Sequence, residues 1–271
     1  MAQPIPSTRK TRMLGVDLDL IDYDGVFQIL EHWRQAGRRN YITMTNPHSM
    51  LLFHRDKDMR RATARATLTL PDGAGIIFGA NLLGYPHSGR ITGPMLMLKL
   101  CDWGRRRGYR HYFLGGQQGV AEALTRRLVE RYPGLQIAGV SAPHWHPSRG
   151  ARDKDVIEKI NAARADIVWV GLGAPKQEKW IAQHRDYLNA AAMIGVGAAF
   201  DFHSGRVKWA PAWVRGLGME WAYRFAREPR RMWPRNLDGL RFVFGVVRQR
   251  LLKTFNANTS PPFGTLEEPL N

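Results

Sequence analysis

Ile167-Val168-Trp169-Val170-Gly171-Leu172-Gly173-Ala174-Pro175-Lys176-Gln177-Glu178-Lys179-Trp180 holds an apolar run, a glycine-rich turn and the start of a helix in one stretch. The first four residues have the length and β-branched content of a buried strand. Gly171 and Gly173 end the run, and Pro175 suits a first helical turn, where its missing N–H would lack a partner anyway. Helical spacing then continues to position 187. The same unit recurs along the chain. Strands are expected at 41–44, 68–70, 111–114, 135–140 and 193–196, and amphipathic helices at 47–63, 73–83, 94–107, 120–132 and 153–163. This alternation predicts an α/β fold, a Rossmann-like and mostly parallel sheet flanked by helices. Such sheets bind ligands beyond the carboxyl ends of their strands. Polar or glycine-rich turns fall there: Thr45-Asn46-Pro47-His48, Pro71-Asp72-Gly73-Ala74-Gly75, Gly115-Gly116, Gly171 to Trp180, and Gly197-Ala198-Ala199-Phe200-Asp201.

The chain of 271 residues has room for one large α/β domain and an appendage, and its 44% hydrophobic content supports a real core. Cys101 is the only cysteine, which excludes an intramolecular disulfide and fits a reducing, cytoplasmic setting. The start of the chain is polar, with no secretory signal, and no apolar run is long enough to span a bilayer. A net charge of +17 favours polyanionic partners: nucleic acid, anionic lipid or phosphorylated substrates. Much of it is concentrated. Residues 206–253 hold 12 Lys and Arg against Glu220, Glu228 and Asp238, with Trp209, Trp213, Trp221 and Trp233 among them. This basic helical C-terminal appendage, assigned to 205–255, is expected to break at Pro229 and Pro234. The catalytic domain is assigned to 1–204, and a disordered tail to 256–271.

Within the turns, Asp72 has two readings from position alone: a general base at the mouth of the sheet, or the cap of the helix after it. Lys176 and Gln177 are placed to face a diphosphate or nucleobase near a helix dipole's positive end. Gly-x-Gly here lacks the third glycine and the acidic partner of a dinucleotide site, so a dehydrogenase is set aside. His144-Trp145-His146 has no third ligand at a metal-site spacing and reads as a loop.

Taken together, Thr45-Asn46-Pro47, Leu70-Pro71-Asp72-Gly73-Ala74-Gly75, Arg90-Ile91-Thr92-Gly93, Phe113-Leu114-Gly115-Gly116, Gly171 to Trp180, Gly195 to Asp201, and Glu220-Trp221…Arg224…Glu228-Pro229-Arg230 resemble the WecG/TagA/CpsF glycosyltransferases, glycosyltransferase family 26. The resemblance covers about residues 13–235. It implies an inverting hexosyltransferase of cell-surface polysaccharide synthesis (exopolysaccharide, enterobacterial-antigen-like or teichoic-acid-like). The implied substrates are a UDP-sugar donor and an undecaprenyl-diphosphate-linked sugar acceptor, with no metal or other cofactor. It makes Asp72 the catalytic base and places Thr45, Asn46, Arg90, Gly173, Lys176, Gln177 and Gly197 at the substrates. One departure is Met44, where the family often has threonine. The appendage is implied to dock on the anionic inner face of the cytoplasmic membrane and close over the site. Arg224, Arg227 and Arg231 would meet membrane or diphosphate, on one face if their helix continued through Pro229. The Asp17-Leu18-Asp19 stretch has the form of the acidic pair in metal-dependent glycosyltransferases but reads as structural.

Two other classes compete: a non-catalytic sugar-nucleotide-binding regulator, and a nucleic-acid binder. The second lacks a recognised binding motif, and the charge sits in one C-terminal region. Self-association is left open.

Overall fold

The computed structural model describes residues 8–37, 39–86, 89–142 and 153–259; His144 and His146 lie outside them. Two strands absent from the sequence reading come first. β1 (Arg9–Met13) and β2 (Val16–Leu20) form an antiparallel hairpin through Leu14 and Gly15, both at positive φ, as a tight two-residue turn demands. Asp19 is buried on this hairpin. Its carboxylate accepts from the Thr69 amide at 2.8 Å and the Thr8 hydroxyl at 2.7 Å, tying hairpin to sheet. Asp17 lies 3.9 Å from Arg12. α1 (Tyr23–Gln35), also unforeseen, is capped by Asp22 and buries Val26, Phe27, Leu30 and Trp33 at helical spacing.

The sheet follows the expected plan. β3 (Asn40–Thr45), β4 (Leu68–Pro71), β5 (Arg110–Gly115), β6 (Gln136–Ser141), β7 (Ile167–Gly171) and β8 (Ala192–Gly195) are all parallel, in the order β4-β3-β8-β7-β5-β6. All six carboxyl ends therefore open on one edge. α4 (Ala74–Leu82), α5 (Gly93–Arg105), α6 (Val120–Arg131), α7 (Lys154–Ala162) and α8 (Lys176–His184) lie close to their expected positions, whereas α9 (Ala199–His203) is a short helix that the sequence reading did not include. The single helix expected at 47–63 is two, α2 (Pro47–Arg55) and α3 (Lys57–Ala64). Asp56 separates them. Its backbone is extended and its carboxylate takes the Asp58 and Met59 amides, so it caps a new helix instead of continuing the old one.

The basic segment forms α10 (Ala212–Gly216), α11 (Glu220–Arg227) and α12 (Pro229–Thr259). The break at Pro229 occurs; the one expected at Pro234 does not, and α12 runs through it. Pro234 sits in the second turn, where the loss of one backbone hydrogen bond is outweighed by the burial of Met232, Phe242 and Val246. Arg224 and Arg227 therefore lie on one helix and Arg231 on the next, not on one continuous face. The helix also passes position 255, to Thr259, and 260–271 lie outside the described residues.

Two cores flank the sheet, one built on Ile42, Phe113, Trp169 and Ile194, the other on Tyr41, Val168, Trp180 and Met193. A third joins Met13, Leu18, Met50 and Ile76 to Phe242 and Val246 of α12. The basic segment thus shares a core with the hairpin, α2 and α4. Among the described residues, no helix is long and apolar enough to cross a membrane.

Candidate active site

Asp72 stands just past β4, and its amide donates to the Thr45 carbonyl at 2.7 Å. It does not cap the helix after it. The cap position of α4 is Gly73, at φ 89, a conformation that favours glycine, and no side chain bonds the first turn. The Asp72 carboxylate instead accepts from the Asn46 side chain and the Gly93 amide, while an isolated parallel bridge pairs Asp72 with Ile91. The residue keeps some surface, yet burial of its carboxyl group raises the pKa to about 6; the nearby Glu220 charge adds to this, and Asn46, Arg90 and Gly93 oppose it. A carboxylate poised this close to neutrality is suited to accept a proton. Asn46 is fixed from its other end: its side-chain oxygen takes the Ser49 amide at 3.0 Å in a capping box on α2. Thr45 is buried, and its carbonyl, rather than its hydroxyl, reaches Asp72.

Arg90 lies near the Asp72 carboxylate and lowers its pKa. Its guanidinium meets Glu220 of α11 at 2.8 Å, and the other Glu220 oxygen accepts from the Trp209 indole at 3.0 Å. Gly218, at φ 74, lets the chain turn in flush: a Cβ there would lie 2.8 Å from the Ala74 side chain and 3.3 Å from Arg90. The Tyr23 hydroxyl accepts from the Thr92 amide at 3.2 Å, close enough to Asp72 and Arg90 to feel both charges.

The β7 and β8 turns divide into open and committed positions. Gly173, at φ 77, has open space where a Cβ would be, and Lys176 is exposed on the first turn of α8, which has no side-chain cap. Gln177 is buried. Its oxygen accepts from the Gly197 amide at 2.9 Å and its nitrogen donates to Glu178 at 2.8 Å. Gln177 and Gly197, both expected at the substrates, bond each other and brace the two turns. Arg224 is half-buried over the Phe202 ring, near enough to Asp72 and Glu220 to be influenced by both, and Arg231 of α12 adds its charge there. Arg227 is exposed.

The sequence pattern of the glycosyl transferase WecG/TagA/CpsF family matches residues 11–256. The chain belongs to this family. Curated relatives are similar over most of their length. An N-acetylglucosaminyldiphosphoundecaprenol N-acetyl-beta-D-mannosaminyltransferase of Bacillus spizizenii is 32% identical over 208 residues, covering 77% of this chain and 79% of the relative. The Bacillus subtilis protein of the same name is 31% identical over 216 residues, covering 79% and 82%. That of Staphylococcus aureus is 29% identical over 223 residues, covering 80% and 85%. In this WecG/TagA/CpsF chain the matched region takes in most of the hairpin, the sheet and nearly all of α12.

Three residues of the pocket escaped the sequence reading. Tyr23 belongs to a helix that was not foreseen. Glu220 meets Arg90 from the far end of the chain, and Trp209, 11 residues before it, donates to the same carboxylate. Glu220 stood in a quoted family string, but nothing in its local sequence pointed to Arg90.

Proposed function

We propose that this protein transfers a sugar from a UDP-sugar to the hydroxyl of an undecaprenyl-diphosphate-linked sugar, with inversion at the donor's anomeric carbon. Asp72 is the general base. It takes the proton of the acceptor hydroxyl as that oxygen bonds to donor C1, and the C1–oxygen bond to the nucleoside diphosphate breaks on the opposite face, its electron pair leaving with the phosphate. Negative charge grows on the departing diphosphate. The uncapped amino ends of α4 and α8, Lys176, and the Arg90 and Arg224 guanidiniums are the groups of this chain suited to offset it. The observation that carries the reading is a carboxylate with pKa about 6, held by Asn46 and Gly93 at the mouth of a parallel sheet in a family of glycosyl transferases.

Replacing Asp72 with Asn keeps the shape and removes the base. Turnover should fall by about 10²–10⁴-fold with an unchanged melting temperature; near-normal turnover in folded protein sinks the assignment.

The lipid acceptor calls for a membrane surface. The protein sits peripherally on the cytoplasmic face, through the tryptophans and leucines exposed on α10 to α12 and the arginines among them.

A further inference from the structure

Glu178 is a buried acid, 1% exposed, to which the transfer above gives no task. It stands in the first turn of α8. One carboxylate oxygen accepts from the Gln177 side chain at 2.8 Å, and the carboxyl group also takes its own backbone N–H. The other oxygen has no hydrogen-bond partner among the described residues. A half-satisfied buried carboxylate is costly, so its presence calls for an explanation.

Gln177 supplies it. A side-chain amide has a donating and an accepting end of nearly equal size, so either can face a given neighbour. Here the oxygen faces the Gly197 amide at 2.9 Å and the nitrogen faces Glu178. Turned over, the amide would set N–H against N–H at Gly197. An ionised carboxylate only accepts, so it admits the nitrogen alone and forbids that turn. The amide also lies flat on the end of β8, since a Cβ on Gly195 would come within 2.9 Å of its nitrogen. Gly197 in turn abuts Gly173, whose Cα lies 4.0 Å from where a Cβ on Gly197 would stand. Both glycine turns, beside the uncapped amino end of α8, are thus tied to one carboxylate.

We propose that Glu178 is a positioning residue for the transfer: its ionised carboxylate locks the Gln177 amide, and through it the Gly173 and Gly197 turns, in the shape that receives the donor's diphosphate. The assignment rests on the glycosyl-transfer reading for the identity of that donor. Protonation undoes the lock, because a carboxyl O–H can donate to the amide oxygen and let the amide turn over. Burial raises the Glu178 pKa to about 7, opposed by the Gln177 amide and its own backbone N–H. No neighbouring charge takes part. β7 and β8 carry no titratable side chain, and Lys179 is engaged with Asp56 at 2.6 Å. Lys176 and His184 of α8, Lys57, Asp58, Arg60 and Arg61 of α3, and Arg185 and Asp186 after α8 leave the group unshifted. Donor binding therefore weakens as pH falls through about 7. Every other group that gains a proton in this range, Asp72 included, makes the site more positive and favours an anionic donor, so the sign is diagnostic.

Calorimetry of the parent protein with UDP-N-acetylmannosamine, the sugar carried in the relatives' name, should show affinity falling by up to about tenfold per pH unit below about 7. Glu178→Gln keeps the shape but can pair with the Gln177 amide either way round. It should bind the donor about fivefold more weakly at about pH 8, with affinity flat down to about pH 6 and a melting temperature no lower than the parent's. In steady-state kinetics with a short polyprenyl-diphosphate N-acetylglucosamine, the loss should fall on donor KM. The kcat at saturating donor, with its acid limb from Asp72, should stay within about twofold. Gln177→Met breaks the same link, so adding Glu178→Gln to it should change donor affinity no further. A parent affinity that holds or rises toward about pH 6 overturns the proposal, as does no binding at any pH. Additive losses in the two variants, or kcat, both KM values and melting temperature declining together in Glu178→Gln, also overturn it. If the parent binds donor with this pH dependence but transfers no sugar, the glycosyl-transfer reading fails and the positioning role stands; transfer with a donor affinity indifferent to pH gives the reverse.

Discussion

The two faces of α12 carry similar residues in opposite circumstances. Inward, Met232, Phe242 and Val246 are buried against the hairpin, α2 and α4, and Asp238 holds His48 and Arg55 at 2.8 Å each. Gln249 bonds both Arg12 and Leu14 of the hairpin. Outward, Trp233, Leu237, Leu240, Phe244, Val247 and Leu251 alternate at spacings of four and three and are all exposed. The inner face is therefore part of the fold, whereas the outer stripe is largely exposed, with only Trp233 at its start set against the Phe225 ring of α11. An apolar stripe of that length on a surface marks an interaction site. One face of the helix fastens the molecule and the other lies open, so the two are separable by mutation.

The largest effect should come from the inner face. Phe242→Ala empties a packed site beneath Gly79, and unfolding should become easier by about 3–5 kcal/mol, read by denaturant titration; a change below about 1 kcal/mol would mean that α12 is only loosely attached. Next comes the inward contact of α11. Glu220 raises the Asp72 pKa, so kcat/KM of the parent should fall as pH drops through about 6, where Asp72 takes up a proton. Glu220→Gln removes that charge, and the acid limb should move to lower pH. Trp209→Phe leaves the charge in place and should leave the limb where it is; a limb that shifts equally in both variants would trace it to packing, not charge. The smallest effect on stability belongs to the outer stripe. Leu240→Ser with Phe244→Ser should change stability by no more than about 0.5 kcal/mol per site, while binding to anionic vesicles drops several-fold. Unchanged vesicle binding would remove the stripe from the membrane contact.

The sheet was legible because its strands are short apolar runs that end in glycine or proline, and Asp72 stood out between Pro71 and Gly73. The hairpin was not, because Arg9-Lys10-Thr11-Arg12-Met13 reads as a solvated basic stretch. The alternation of Val16, Leu18 and Leu20 with two aspartates was the available signal, but a five-residue run with two acids is too short to announce a strand by itself. Asp56 was read through as a helix interior, although a side chain that competes for backbone amides favours a new start there. The burial of Gln177 could not be read from one sequence, because it depends on β8 arriving beside β7. The Glu220 contact with Arg90 depends on folding across 130 positions, which no local pattern encodes.

Ribosomes deliver this chain from its amino end, and the order matters for a pocket walled from both ends of the sequence. Asn46, Asp72 and Gly93 emerge early, whereas Gly218 and Glu220, which shut the side beside Arg90, come after the last strand of the sheet. A nascent or prematurely terminated chain holds a base with one wall missing. A fragment that stops before Gly218 should therefore be inactive even though Asp72 and Asn46 are already in place.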